Sequence, residues 1–216
     1  MYQNVIFDLD GTLLNTLEDL KDSTNYALAQ HGYPTRTLEE VRCFVGNGIR
    51  KLIDRAVPEG TSVEKTDKVF ATFREYYATH SRVKTSMYEG MEQVMDALKE
   101  QNISMAIVSN KADDAVKDLA KYYFAKYIDV AIGEREGISR KPAPDSVYEA
   151  MRLLGATKEN TVYVGDSDVD RATAKNAGIP CVSVTWGFRS EELLVSLEPE
   201  YLIHKPEEIL SVVTGK

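Results

Sequence analysis

The chain has 216 residues, of which 43% are hydrophobic and 28% charged, with a formal net charge of −8. That balance gives a soluble globular protein with a real core, built as one large domain or a domain with a smaller insert. The acidity (pI about 5.0) and the lack of a basic stripe argue against duplex nucleic acid as a partner, and they require any phosphate site to be locally cationic.

In chain order, Asn4–Phe7 reads as a strand, followed at once by Asp8-Leu9-Asp10-Gly11-Thr12. Between residues 15 and 85 no convincing strand occurs. Leu17–Gln30, 48–57 and Val63–His80 read as helices, and Thr37 with Glu40 three residues later has the spacing of a capping box. After this block, short β-branched runs at 104–108, 128–132, 161–164, Cys181–Val184 and Tyr201–Ile203 alternate with helical periodicity at 92–101, 114–123, Asp145–Leu154 and Asp168–Ala177. Gly155 and Gly178 stand where left-handed helix caps are expected. Alternation of this kind predicts an α/β fold, a parallel sheet with helices on both faces, and the all-helical stretch is a second unit inserted after the first strand. The expected division is 1–14 with 86–216 for the core and 15–85 for the insert.

Other chemistries find no support. Cys43 and Cys181 are far apart and lack metal-ligand spacing, and His31, His80 and His204 are scattered. No Walker A loop, GxGxxG or GxSxG occurs. No apolar run is long enough to span a bilayer. The N-terminus does not read as a signal peptide, so a reducing, cytoplasmic setting is the expectation.

Two aspartates one residue apart at the end of an apolar strand repel each other unless a cation offsets them. In open parallel sheets, ligands bind beyond the carboxyl ends of the strands. Asp8 and Asp10 follow the first strand, Ser109-Asn110-Lys111 the second, and Gly165-Asp166-Ser167-Asp168-Val169-Asp170 the fourth, with Lys141 just before a helix. These groups are therefore expected to converge around a divalent cation and a lysine. Singly, each has a plainer reading. Asp8-Leu9-Asp10-Gly11 can be an acidic turn, Ser109 a helix cap and Lys141 a surface lysine. Asp166, Asp168 and Asp170 can be first-turn acids favoured by the helix dipole.

Taken together, the DxDGT of residues 8–12, Ser109, Lys141 and the GDxxxD of residues 165–170 resemble the four motifs of the haloacid dehalogenase-like superfamily, in its phosphoglycolate phosphatase-like branch. The resemblance covers essentially the whole chain, because the helical insert falls where that branch carries its cap on a Rossmann-like core. Asn15 departs from the aspartate found there in many relatives. The resemblance implies a nucleophile at Asp8 that forms an aspartyl-phosphate, and a general acid and base at Asp10. It also implies phosphoryl contacts from Ser109, Asn110 and Lys141. A magnesium ion would be held by the Asp8 side chain, the Asp10 carbonyl and the Asp166 side chain, with Asp170 supporting that shell.

Within the insert, Gly48 and Arg50 are the expected substrate contacts, the glycine for close backbone approach and the arginine as a carboxylate clamp. The bland alternative for Arg50 is a solvated helix residue. Trp186 and Phe188, near a possible pocket rim, read as core packing. The expected substrate is a small phosphorylated metabolite, 2-phosphoglycolate first, with pyrophosphate hydrolysis or β-phosphoglucomutase-like transfer as alternatives. A response-regulator-like phospho-acceptor is the competing class, and a non-catalytic module the third. The expected assembly is a monomer or weak homodimer.

Overall fold

The structure, a computed structural model, describes residues 1–215. The chain divides into two compact units: Met1–Leu14 with the chain from Met87 onward, and Asn15–Ser86.

The first unit is built on six parallel strands: β1 (Asn4–Phe7), then, beyond two short linker strands β2 (Leu14–Asn15) and β3 (Ser86–Met87), β4 (Ser104–Ala112), β5 (Val130–Glu134), β6 (Thr161–Gly165), β7 (Cys181–Val184) and β8 (Tyr201–Ile203). Their order is β5-β4-β1-β6-β7-β8, and β2 pairs with β3 in a separate small sheet. β1 is flanked in parallel register by β4 (Phe7 opposite Ile107) and by β6 (Phe7 opposite Val164). The chain runs outward from β1 to β5 on one side and returns to the other side at β6. The switch point of the sheet therefore lies between β1 and β6, where ligand crevices form in such folds.

Alternation along the strands sorts side chains between two helical layers. Val5, Phe7, Met105, Ile107, Val162, Val164, Val182 and Val184 join a core with Met91, Val94, Met95, Leu98, Val116, Leu119, Ile209 and Val213. The helical partners come from α5 (Met91–Glu100), α6 (Asp113–Tyr123) and α10 (Glu208–Thr214). Ile6, Ala106, Val108, Tyr163 and Cys181 face the other way, onto Val147, Ala150 and Met151 of α7 (Asp145–Leu154) and Ala174 and Ala177 of α8 (Asp168–Ala177). Each fully buried aliphatic or aromatic side chain stabilises the fold by about 1.5–3 kcal/mol relative to exposure. A short helix α9 (Glu191–Ser196) follows β7.

The second unit holds α1 (Leu17–Gln30), α2 (Leu38–Phe44), α3 (Ile49–Ala56) and α4 (Val63–His80). The capping box at α2 is complete: Thr37 accepts from Glu40 N–H, and Glu40 accepts from Thr37 N–H at 2.7 Å. Ser62 caps α4 through Lys65 N–H. Leu28, Val41, Leu52, Ile53, Val69 and Phe73 are buried in this unit. Asp19, in the first turn of α1, is also buried; its carboxylate accepts from Lys84 N–H at 3.0 Å, Thr85 N–H at 2.9 Å and Thr85 Oγ1 at 2.8 Å. The start of the insert is thereby tied to its end.

β4 and β5 differ most from the sequence expectation, which names no strand at β2 or β3 and ends β6 one residue sooner. β4 runs on through Ala112, past the last β-branched residue of its apolar run, with its register against β5 shifting between Val108 and Ala112. β5 starts at Val130 because Tyr127 and Ile128 are used in a turn, their N–H groups donating to the Phe124 carbonyl at 2.8 and 2.9 Å. Among the described residues, no helix is long and apolar enough to cross a membrane.

Candidate active site

Asp8 and Asp166 follow β1 and β6, and Ser109, in the adjacent β4, stands two residues past Ile107, the partner of Phe7, so the three share one edge of the sheet. Asp8, Asp166 and Asp170 each bring a carboxylate oxygen within 4.8 Å of the others, and all three residues are buried. Residue by residue, different elements hold them there. Asp170 is the third residue of α8; its Oδ2 accepts from Ser167 N–H at 3.1 Å and Ser167 Oγ at 2.5 Å, a capping box that starts the helix. Asp166 accepts from Phe188 N–H at 2.6 Å and, more loosely, from Thr12 Oγ1 at 3.4 Å.

Close packing around Asp166 requires glycine twice. Gly11 has φ +90°, and a Cβ there would lie 2.4 Å from the Asp166 carboxylate. A Cβ on Gly187 would lie 2.2 Å from the Asp166 Cβ. The loop after β7 therefore reaches the carboxylate only because it carries no side chain at this point.

Lys141 is the cation of the cluster. Its ammonium lies 2.8 Å from Asp8 Oδ1 and 2.8 Å from Asp170 Oδ1, with Tyr163 Oη at 2.9 Å and the Val108 carbonyl at 3.2 Å. Three N–H groups meet four acceptors, so the long contact to Val108 is the weakest. Tyr163 also donates its hydroxyl to Asp170 Oδ1 at 2.9 Å. Burial alone would lower the Lys141 pKa, but the Asp170 and Asp8 carboxylates outweigh it and raise the value. Burial, with the Asp170 and Asp166 charges, pushes Asp8 well above the usual carboxylate range against the pull of Lys141. Asp166 is pushed up to about 7, chiefly by burial and then by Asp170, while Phe188 N–H and Arg189 oppose the shift.

The four groups differ in access. The side chains of Asp170 and Lys141 are 1% and 3% exposed, whereas Asp8 keeps 12% and Asp10 19%. Of these three carboxylates, Asp8 and Asp10 are the more open. The Asp10 carboxylate is gripped by Lys111, whose ammonium donates at 2.8 and 3.0 Å to its two oxygens.

The remaining expected residues fall as follows. Ser109 is buried inside β4, with Oγ accepting from Lys111 N–H at 3.2 Å. Asn110 holds the Lys141 backbone with both atoms of its carboxamide. Gly48 caps α3 with φ +81°, and Arg50 pairs with Asp54 at 2.8 Å and with Asp67, its guanidinium 5.7 Å from the Phe70 ring centroid. Those Arg50 contacts lie within the helical unit. Phe188 is buried as core packing expects, yet its backbone N–H serves Asp166.

Sequence reasoning gave no task to Lys111 or Tyr163, or to the Gly187-Phe188 backbone. Tyr163 carries a faint signal, a lone hydroxyl inside the apolar run of β6, and Lys111 a similar one as a charge continuing a strand. The backbone donor at Phe188 leaves no mark in residue type.

Three buried carboxylates against one lysine leave an excess of negative charge, and an all-oxygen donor set of this kind suits a hard divalent cation such as magnesium. Asp170 is saturated by Lys141, Tyr163 and Ser167. Asp8 and Asp166 are therefore the side chains with capacity for a metal.

A parallel sheet with an acidic cluster beyond its central strands, met by the Lys141 ammonium, can hold a divalent cation and a negatively charged ligand. The chain belongs to the haloacid dehalogenase-like hydrolase family, whose model matches residues 5–184. It is similar to phosphoglycolate phosphatase 1 of Pseudomonas aeruginosa, 32% identical over 95% of this chain and 78% of that one. Pyrophosphatase PpaX of Halalkalibacterium halodurans is 30% identical over 98% of this chain and 97% of its own. Among solved structures, a Lactobacillus delbrueckii subsp. bulgaricus protein superposes with a TM-score of 0.94 at 32% identity, covering 100% of this chain and 99% of that one. Within that family it falls in the phosphoglycolate phosphatase-like branch.

Proposed function

We propose that the protein is a magnesium-dependent phosphatase that hydrolyses a small phosphate monoester through an aspartyl-phosphate on Asp8, with 2-phosphoglycolate as its substrate. The observation that carries this reading is the Lys141 ammonium bound at once to Asp8 and Asp170, beside Asp166. Among Asp8, Asp166 and Asp170 it leaves Asp8 as the one that is both partly exposed and aligned by a cation.

Asp8 and Asp166 would hold magnesium together with the Asp10 carbonyl. When bound, the ion offsets phosphoryl charge so that a carboxylate can approach phosphorus. Asp8 attacks phosphorus as the ester P–O bond breaks, and Asp10 gives its proton to the leaving oxygen. Asp10 then takes a proton from the water that attacks the aspartyl-phosphate, which releases phosphate and restores Asp8. Lys141 supplies fixed positive charge throughout, and Ser109 a hydroxyl donor for phosphoryl oxygen. Two relatives support a substrate whose leaving group is itself an anion: one is named for phosphoglycolate and the other for pyrophosphate. The second name makes pyrophosphate the second reading.

The test is turnover of 2-phosphoglycolate, pyrophosphate and hexose phosphates, with magnesium or EDTA, by wild type and Asp8→Asn. Expected are magnesium-dependent hydrolysis ranked with 2-phosphoglycolate first and a folded, inactive variant. Activity retained by Asp8→Asn would remove the nucleophile. Transfer between sugar hydroxyls without phosphate release would make the enzyme a mutase, and one stoichiometric phosphorylation without turnover a receiver.

A further inference from the structure

Lys111 is buried at the carboxyl end of β4, its side chain 2% exposed, and it grips both oxygens of Asp10 at 2.8 and 3.0 Å. Burying an ammonium is costly unless its partner repays the lost hydration. Here the partner is the most open carboxylate of the site, so the pair is unlike a core ion pair sealed on both sides. The Asp10 backbone is already fixed: it bridges Leu14, and the next N–H, that of Gly11, donates to the Leu14 carbonyl at 2.9 Å. Backbone geometry does not by itself set the rotation of the carboxylate. Contact with both of its oxygens restricts that rotation.

We propose that Lys111 is a positioning residue that holds the Asp10 carboxylate where it must meet the leaving-group oxygen. The inference rests on the acid and base role given to Asp10 under Proposed function. In the first step the proton moves from Asp10 to the departing oxygen as the P–O bond breaks; in the second it moves from water to Asp10 as the acyl phosphate is cleaved. Lys111 keeps its own proton in both steps and contributes orientation; its charge favours the ionised Asp10 of the base step, and in the acid step its hold narrows to the oxygen that does not carry the proton. Loss of the grip therefore harms the chemistry only as far as the chemistry depends on proton transfer.

Wild type, Lys111→Met and Lys111→Arg are compared on phosphate esters running from alkyl leaving groups to p-nitrophenolate. A positioned acid is worth on the order of a hundredfold or more, so Lys111→Met is expected to lower kcat at least about tenfold on alkyl esters and less than about threefold on p-nitrophenyl phosphate. KM stays within about twofold, and Lys111→Arg recovers part of the loss. In an Asp10→Asn background, Lys111→Met adds no further loss, because the two residues act as one unit. An equal loss across the series, or full additivity with Asp10→Asn, overturns the proposal. Should Lys111→Met fail to fold, Asp10→Asn and Asp10→Asn/Lys111→Met decide, since the neutral carboxamide then at residue 10 carries no charge that demands an ion partner; an extra loss in the double variant counts against it. A wild-type enzyme without magnesium-dependent turnover would instead remove the proposed function itself.

Discussion

Asn110 grips Lys141 at both ends of its carboxamide: Oδ1 accepts Lys141 N–H at 2.8 Å, and Nδ2 donates to the Lys141 carbonyl at 3.1 Å. The end of β4 thereby sets the height at which the loop before α7 delivers its ammonium to Asp8. The sequence expectation has Asn110 touching substrate, and the contact observed is with this loop.

Asn110→Ala deletes both bonds and leaves a buried N–H unmade. It is expected to cost about 1–3 kcal/mol in urea unfolding. Turnover should fall on the order of tenfold to a hundredfold, since a displacement of about 1 Å at a reacting group has an effect of that size. Unaltered kcat in a destabilised variant would show that Lys141 is placed by its carboxylate partners alone.

The Asp166 carboxyl, raised from 3.8 to about 7 by burial and the Asp170 charge, gives a pH signature. Between those values the folded chain holds a proton that the unfolded chain does not, so stability of the metal-free protein falls as pH rises across the window. A metal needs the ionised form, so magnesium binding strengthens over the same window. Melting curves at about pH 5, 6 and 7 should show the gain on replacing EDTA with magnesium increasing with pH. A gain that shrinks with pH would place the ion elsewhere.

Gly187→Ala puts a methyl group where the Asp166 side chain lies, 2.2 Å from its Cβ, and breaks the Phe188 N–H contact that orients the carboxylate. Changes of this kind beside a metal ligand cost about tenfold to a hundredfold in affinity. Calorimetric titration with magnesium should show such a loss in a folded protein. Unchanged affinity would mean that the loop after β7 does not hold the ligand.

Much of this was legible in the chain because strand and helix periods are properties of residue type. Phe7 and Ile6 face opposite layers as alternation demands, and the Thr37–Glu40 box forms where its spacing predicts it. Asp8, Asp166 and Lys141 could be gathered on paper because parallel strands share an edge. The β4 extension escaped notice because Ser109, Asn110 and Lys111 are polar residues that a strand buries only when other polar groups meet them, as Lys141 and Asp10 do. The support given by Phe188 escaped because every residue but proline offers the same N–H.

The Asp19 carboxylate, with its hydrogen bonds to Lys84 and Thr85, makes the helical insert a loop closed at its neck. A segment that leaves and rejoins its host at neighbouring points asks little of the host beyond those two points. The parent sheet can therefore accept inserts of other lengths and shapes at this junction while the carboxylates and lysines at its edge stay where they are. The insert can then diverge in sequence and shape while the groups at the sheet edge are kept.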